Sequence, residues 1–482
     1  MYLGIDLGTS AVKVCLLDET GAVAETASSK LSISFPFEGA SEQDCESWWT
    51  ATCAAVLSLD PILRGRVKGI GLSGQMHGAV LLDAAKHPLR PVILWNDARA
   101  AKECEDLLRA VPDIGDVTGV YPMAGFTAPK LLWLAKHEPE THAKIAHILL
   151  PKDYLGLRLH GELATDFSDA SGTSWMDQRS RQWSLEICQA SSTDIGWLPR
   201  ILHGSDISGT LGPSPAAELG LQAGIPVVAG AGDAAAGAVG IGAISDGDGF
   251  LSLGTSGQLF MTTKDYRPNV KNRIHAYSHT LPDVWFQMAA MLNGARPLAW
   301  LSELLGRPID ALLAEAEHGK DGPIFLPYLT GERTPHGDTD IRAGFFGLSE
   351  STTHGDLMRA VVEAVAFSFA DASHALEAAG TKTQSLLAIG GGTQSDLLMQ
   401  TIATVTDCEI ARSGSADVGP ALGAARLAML AVGGGNVASV MAKPTVEKRF
   451  NPQKSQQAMY AEKLAVFRAL YPAVKAAQGV NA

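Results

Sequence analysis

Two segments far apart in this chain share one plan, and that repetition constrains the fold more than any other feature. Residues 2–18 read as two apolar strands flanking a Gly8-Thr9-Ser10 turn, and residues 249–261 as two more flanking Gly254-Thr255-Ser256-Gly257. A hairpin repeated near mid-chain predicts two related domains, each opening on a turn able to face a phosphate. Short apolar runs at 67–72 and 226–229 read as buried strands. The segments 48–59, 357–378, 397–406 and 452–470 carry helical patterns. Such alternation predicts α/β layers. The Gly- and Asp-rich stretch 240–249 is the expected boundary, giving domains 1–244 and 245–482.

Bulk properties narrow the class. With 482 residues, 46% of them hydrophobic and 18% charged, the chain can build more than one sizeable core. A net charge of -13 argues against a broad nucleic-acid or anionic-membrane surface. The six cysteines form no CxxC pair and no zinc spacing, so separate buried thiols in a reducing compartment are expected. No charged leader precedes an apolar region and no run is long enough for a bilayer, which makes the cytoplasm the default expectation.

Chemistry gathers at the turns. Asp6 ends the first apolar run just before the first turn, where a carboxylate can hold Mg²⁺. Gly8, Thr9 and Ser10 offer backbone N–H groups and hydroxyls to a phosphate, and Lys13 on the next strand can neutralise charge. An ordinary hairpin would look the same. The second turn, Gly254 with Thr255 and Ser256, turns the pair into a candidate clamp for a triphosphate. A third glycine loop, Gly390-Gly391-Gly392, leads into a helical pattern suited to an anion or a ribose-bearing group.

Asp233 is the candidate base. It follows an apolar strand and is surrounded by small residues, Ala231-Gly232 before it and Ala234-Ala235-Ala236 after it. A helix cap would also suit that position, but its place just ahead of the second turn favours a role in chemistry. Gln75, Met76 and His77 follow the strand at 67–72, where α/β sheets tend to bind ligands. Trp95 and Asp97 add a second polar cluster. Together these five residues are the candidate sugar contacts.

These strings resemble the FGGY carbohydrate kinases, and within that family the bacterial xylulokinases. One family signature is similar to residues 125–137, beginning Gly125-Phe126-Thr127; the other is similar to 343–348 and 356–363. Closer likeness lies in Gly74-Gln75-Met76-His77-Gly78, Leu94-Trp95-Asn96-Asp97, Leu150-Pro151-Lys152-Asp153-Tyr154, Gly331-Glu332-Arg333-Thr334-Pro335-His336 and Asp417-Val418-Gly419-Pro420-Ala421. The resemblance implies two actin-like, ribonuclease-H-type domains around a cleft that closes on sugar. It implies ATP and Mg²⁺ as cofactors and D-xylulose as the acceptor, phosphorylated to D-xylulose 5-phosphate, with no nucleic acid or membrane as partner. The sequence does not give the oligomeric state, and a homodimer is carried as an expectation.

By the same resemblance, Asp233 matches the base and Asp6 and Thr9 the metal and phosphate side. Thr255 and Ser256 match the second phosphate loop, Gly391 and Gly392 the adenosine loop, and Met76 and His77 the sugar. One position departs from the pattern: Ala234 stands where xylulokinases usually carry Asn. A lost amide removes a hydrogen bond worth about 1 kcal/mol or more. A kinase for another ketose or polyol, such as ribulose or erythritol, is therefore the nearest rival. An actin-like ATP-binding module without kinase activity is a rival from a different class.

Overall fold

In the computed structural model, which describes residues 1–318, 322–413 and 419–479, the repeated hairpin opens each of two similar sheets. The first sheet contains β1 (Tyr2–Leu7), β2 (Ala11–Leu17), β3 (Val23–Lys30), β4 (Gly69–Gly74), β5 (Ile207–Thr210), β6 (Pro226–Val228) and β7 (Ala231–Gly232). Its order is β5-β6-β4-β1-β2-β3, with β7 also paired to β4. The second contains β8 (Gly249–Leu253), β9 (Gly257–Thr263), β10 (His275–Ser278), β11 (Trp285–Met291), β12 (Ser385–Ile389), β13 (Glu409–Ser413) and β14 (Val446–Phe450), in the order β10-β11-β9-β8-β12-β13-β14. In both, an antiparallel meander meets parallel strands at the opening strand of the hairpin.

Helices cover the sheets: α1 (Cys45–Leu57), α2 (Thr127–His137), α3 (Pro151–His160), α4 (Phe167–Ser171), α5 (Asp233–Gly240), α6 (Arg296–Leu305), α7 (Ile309–Glu317), α8 (His354–Glu377), α9 (Asp396–Thr406), α10 (Gly419–Val432) and α11 (Lys454–Gly479). Sequence and structure differ at helix ends, for local reasons. α1 starts three residues earlier than its apolar pattern, because Asp44 accepts the Glu46 N–H at 3.0 Å and caps it. α8 likewise starts at a Thr353/Asp356 capping box. α11 runs nine residues past the expected end at 470, with Pro472 inside it.

The halves have separate cores. The first packs Leu3, Ile5, Val14 and Trp48; the second packs Leu251, Phe325, Val361 and Phe367. A third apolar layer joins them, in which Phe250 and Phe260 of the second sheet meet Ala236 and Val239 of α5 and Ala425 and Ala428 of α10. α10 comes from the second half, yet lies against the first sheet. A Cβ at Gly4 would stand 1.9 Å from the Ala421 carbonyl, and one at Gly71 1.9 Å from that of Ala424. Only glycine permits so close an approach. α5 and α10 cross as tightly, since a Cβ at Gly423 would meet the Ala236 carbonyl at 1.8 Å. The cysteines are unpaired. Among the described residues, no helix is long and apolar enough to cross a membrane. Asp417 and Val418 lie outside the described residues.

Candidate active site

Three strand ends bring the site together. β1 ends beside β4, and β7 pairs with β4 at its far end, with Ala231 opposite Ser73 and Gly232 opposite Gly74. Asp6 on β1 and Asp233, the first residue of α5, therefore reach the same cleft. Asp6 is buried and its Oδ1 has no hydrogen-bond partner. Burial pushes its carboxyl up to about 7, helped by the charge of Asp233 and opposed by the Ser73 hydroxyl and Lys13. Lys13 sits directly across from Asp6 on β2, exposed on the same face.

Asp233 is open to the cleft, with the Ala234 N–H donating to its Oδ1 at 2.8 Å. Protein fills its wider surroundings, and that burial pushes its carboxyl up to about 6, against the Ala234 hydrogen bond. Water in the open cleft screens part of the effect; closure would remove that water. Gly232 lets Met76 pack beside the base, since a Cβ there would lie 3.0 Å from the Met76 sulfur.

His77 is held in a left-handed backbone conformation, φ 72°. Its Nδ1 lies 2.6 Å from the Gly172 carbonyl, which makes Nδ1 the protonated nitrogen and leaves Nε2 as an acceptor. Burial drives its pKa down to about 3, against the Gly172 bond and with help from Lys130 and Arg333, so the ring is neutral. Phe126 stacks on it at 4.3 Å. Lys130 is fully buried and donates to the carbonyls of His77 (2.8 Å) and Ile93 (3.1 Å), fixing the loop from below.

Two expected sugar contacts need correction. Gln75 is buried and both ends of its amide are committed: Oε1 accepts from the Thr9 hydroxyl at 3.1 Å and Nε2 donates to Gln43 at 3.0 Å. Asp97 is buried as well. Its oxygens accept the Ser41 N–H (2.7 Å), the Arg99 N–H (2.9 Å) and the Arg99 guanidinium (2.9 and 2.8 Å). Neither has a free polar atom to offer, so both position the wall instead of touching a substrate. Trp95 is exposed, and its indole N–H donates to the Thr9 hydroxyl at 3.0 Å. Thr9 is thus tied to Gln75 and Trp95, whereas Ser10 is exposed at the turn.

In the second domain's hairpin, Gly254, Thr255 and Ser256 are exposed between β8 and β9. The carbonyls of Gly254 and Thr255 accept from Ala295 N–H (2.8 Å) and Gly294 N–H (3.0 Å), which fixes the backbone of the turn. Beyond them Gly391 and Gly392 line a cavity of about 450 Å³ with Leu298, Ile309 and Leu313. Its apolar wall and glycine floor fit a purine nucleoside. For a divalent ion, Asp6 supplies a buried oxygen without a partner beside a second carboxylate. No cluster of three metal-ligating side chains exists among the described residues. Asp6 could serve as the one protein ligand of a Mg²⁺ ion, whose shell is otherwise filled by waters and substrate phosphates.

One part of the site was missed in the sequence. Lys152, Asp153, Asp166 and Asp169 form a buried cluster, with Lys152 Nζ 2.5, 3.0 and 3.4 Å from the three carboxylates. α4 links it to the cleft. Its Ser168 hydroxyl accepts the Gly232 N–H at 3.1 Å, one residue before Asp233. Gly172, just after it, holds His77. The Asp166-Phe167-Ser168 start of α4 carried a capping signal, but nothing in sequence tied it to residues 152 and 232.

The family models for the N-terminal and C-terminal domains of the FGGY family of carbohydrate kinases match residues 1–240 and 249–432. A xylulose kinase of Escherichia coli (strain K12) is 44% identical over 477 residues, 98% of each chain. A crystal structure of a xyloylose kinase from Brucella ovis superposes with a TM-score of 0.95 at 42% identity, over 98% of this chain and 99% of that one. A xylulose kinase structure from Rhodospirillum rubrum gives a TM-score of 0.93 at 28% identity, over 99% of both. With both domain models matched and the two-sheet architecture shared, the chain belongs to the FGGY family of carbohydrate kinases and has their two-domain, actin-like fold.

Proposed function

We propose that this enzyme transfers the γ-phosphate of ATP to the terminal hydroxyl of D-xylulose, giving D-xylulose 5-phosphate. One observation supports the reading above the rest: Asp233 is an exposed carboxylate at the start of α5, with Met76 packed beside it and its charge acting on the buried carboxyl of Asp6. The likeness to xylulose kinases over nearly the whole chain supports the choice of sugar. In this reading domain 1–244 holds the sugar and domain 245–482 holds the nucleotide.

Asp233 accepts the proton of the sugar hydroxyl as that oxygen bonds to phosphorus and the bond to ADP breaks. A carboxyl titrating near 6 is ionised at neutral pH, yet basic enough to take the proton. Met76 supports Asp233 from behind, and His77 Nε2 accepts a sugar hydroxyl. Ser10, Lys13, Thr255 and Ser256 surround the phosphates, and Gly391 and Gly392 the adenosine. Asp6 would hold Mg²⁺, which when bound offsets the charge of the triphosphate.

The test is ADP release from the Asp233→Asn variant with D-xylulose. Turnover should fall by about 10²- to 10⁴-fold, the range for a lost general base, while ATP binding stays near normal. Near-full turnover in that variant would remove Asp233 from the chemistry. A second reading, a kinase for another ketose or polyol, is favoured by Ala234, whose methyl leaves no amide beside the base. A panel of pentuloses and pentitols decides between the two.

A further inference from the structure

On the second domain's side stands a group of polar side chains that make no hydrogen bond among the described residues. His275 and Tyr277 lie two residues apart on β10, hence on one face of the strand. Both are buried, and neither ring nitrogen of His275 nor the Tyr277 hydroxyl has a hydrogen-bond partner. Native proteins satisfy the large majority of such groups. The His275 ring stands edge-on to Phe126 at 6.1 Å, and Phe126 stacks on His77. This face therefore leads to the sugar side.

Arg333 reaches the same place from another loop. Thr334 docks that loop at the start of β10: its hydroxyl accepts the Ala290 N–H at 3.1 Å and donates to the Arg273 carbonyl at 3.1 Å. The Glu332 carboxylate is occupied by the N–H groups of Leu292 (2.6 Å) and Arg333 (2.8 Å) and by the Asn293 amide (3.2 Å). Among the described residues the guanidinium of Arg333 makes no hydrogen bond or ion pair. It is half-buried, and its charge acts on His77, His275 and Tyr277 together. A guanidinium held this deep without an anion or acceptor is costly, and a substrate oxygen would relieve it.

We propose that Arg333, backed by His275 and Tyr277, forms a subsite for the end of the sugar that does not receive phosphate, and that it selects an α-hydroxyketone there. The inference rests on the reading of the chain as a pentulose kinase. A guanidinium presents parallel N–H donors in a fixed fork. The carbonyl and hydroxyl oxygens of an α-hydroxyketone lie on adjacent carbons and match that fork. A pentitol has a hydroxyl in place of the carbonyl, whose own hydrogen must be turned away or left without an acceptor.

The test uses full-length Arg333→Met and Arg333→Lys enzymes with D-xylulose, xylitol and D-xylonate. The wild type should favour the ketose. Arg333→Met should cost the ketose about 10- to 100-fold more in kcat/KM than the pentitol, the range for a lost charge-assisted hydrogen bond, mainly through KM. The KM for ATP should stay within about twofold. Arg333→Lys keeps the charge without the fork and should lose ketose preference to an intermediate degree, which decides the matter even if the methionine variant does not fold. Equal losses on ketose and pentitol, no loss on either, or a wild-type preference for xylonate would overturn the subsite. A wild type that phosphorylates no pentulose at all would instead overturn the reading on which it rests.

Discussion

Asp6 is held at a cost to the empty enzyme. Its carboxyl titrates near 7 in the fold and near 3.8 when unfolded. Between those values the folded chain keeps a proton that the unfolded chain releases, so this residue's contribution to stability falls as pH rises from about 4 to 7. Asp6→Asn should therefore raise the Tm of the nucleotide-free protein at pH 8, and the gain should vanish near pH 4; thermal melts across that range check it. Asp233 gives a kinetic counterpart. With its carboxyl near 6, kcat/KM should rise with pH up to an acid limb near 6, and Asp233→Asn should abolish that limb.

Residue types and spacing were enough to place Asp6 and Asp233 at strand ends and the two Thr/Ser segments in hairpin turns, because strand ends and glycine turns are local features. The same reasoning misjudged Gln75 and Asp97. Both are polar residues at strand ends, as expected of sugar contacts. What occupies them is largely tertiary: Gln43 and Ser41 come from distant segments, and the nearby Arg99 takes up the remaining oxygens of Asp97.

Among the elements, α4 does much for its five residues. It bonds Gly232 through Ser168, sets Asp169 beside Lys152, and through the Ser171 hydroxyl accepts the Ser278 N–H of the second domain at 3.2 Å. Burial and the neighbouring carboxylates keep the Asp169 carboxyl well above its ordinary range, although Lys152 opposes them. Lys152→Met would leave three buried carboxylates without their cation. Breaking such a cluster costs about 3–5 kcal/mol, to be read as a large drop in denaturation midpoint. Asp169→Asn, which mimics the protonated acid, should cost far less. A helix this short has no periodic signature, so sequence patterns could not reveal it, whereas the 24-residue α8 was plain from its apolar stripe.

For the whole molecule, the repeated hairpin correctly announced two similar sheets. It did not announce that α10 returns from the second half to cover the first. That crossing depends on glycines at 4, 71 and 423, which alone say nothing about their partner. Gly71→Ala should bring a methyl carbon to within 1.9 Å of the Ala424 carbonyl and lower the Tm sharply or abolish soluble expression. Gly237→Ala, in α5 with nothing near its Cβ position, should instead stabilise by about 0.5–1 kcal/mol. Melting curves of the two variants separate packing from backbone entropy.

The return of α10 also has a temporal consequence. The face of β1 and β4 that α10 covers is the one bearing Gly4, Gly69 and Gly71, so its backbone lies bare until that helix has been made. The helix that covers this face is encoded more than 340 residues after β4 ends. Synthesis runs at about 5–20 residues per second, so the N-terminal sheet waits tens of seconds with one face bare. Completion of the first domain is thus a late event in translation, reached only after β8 to β13 of the second sheet have been made.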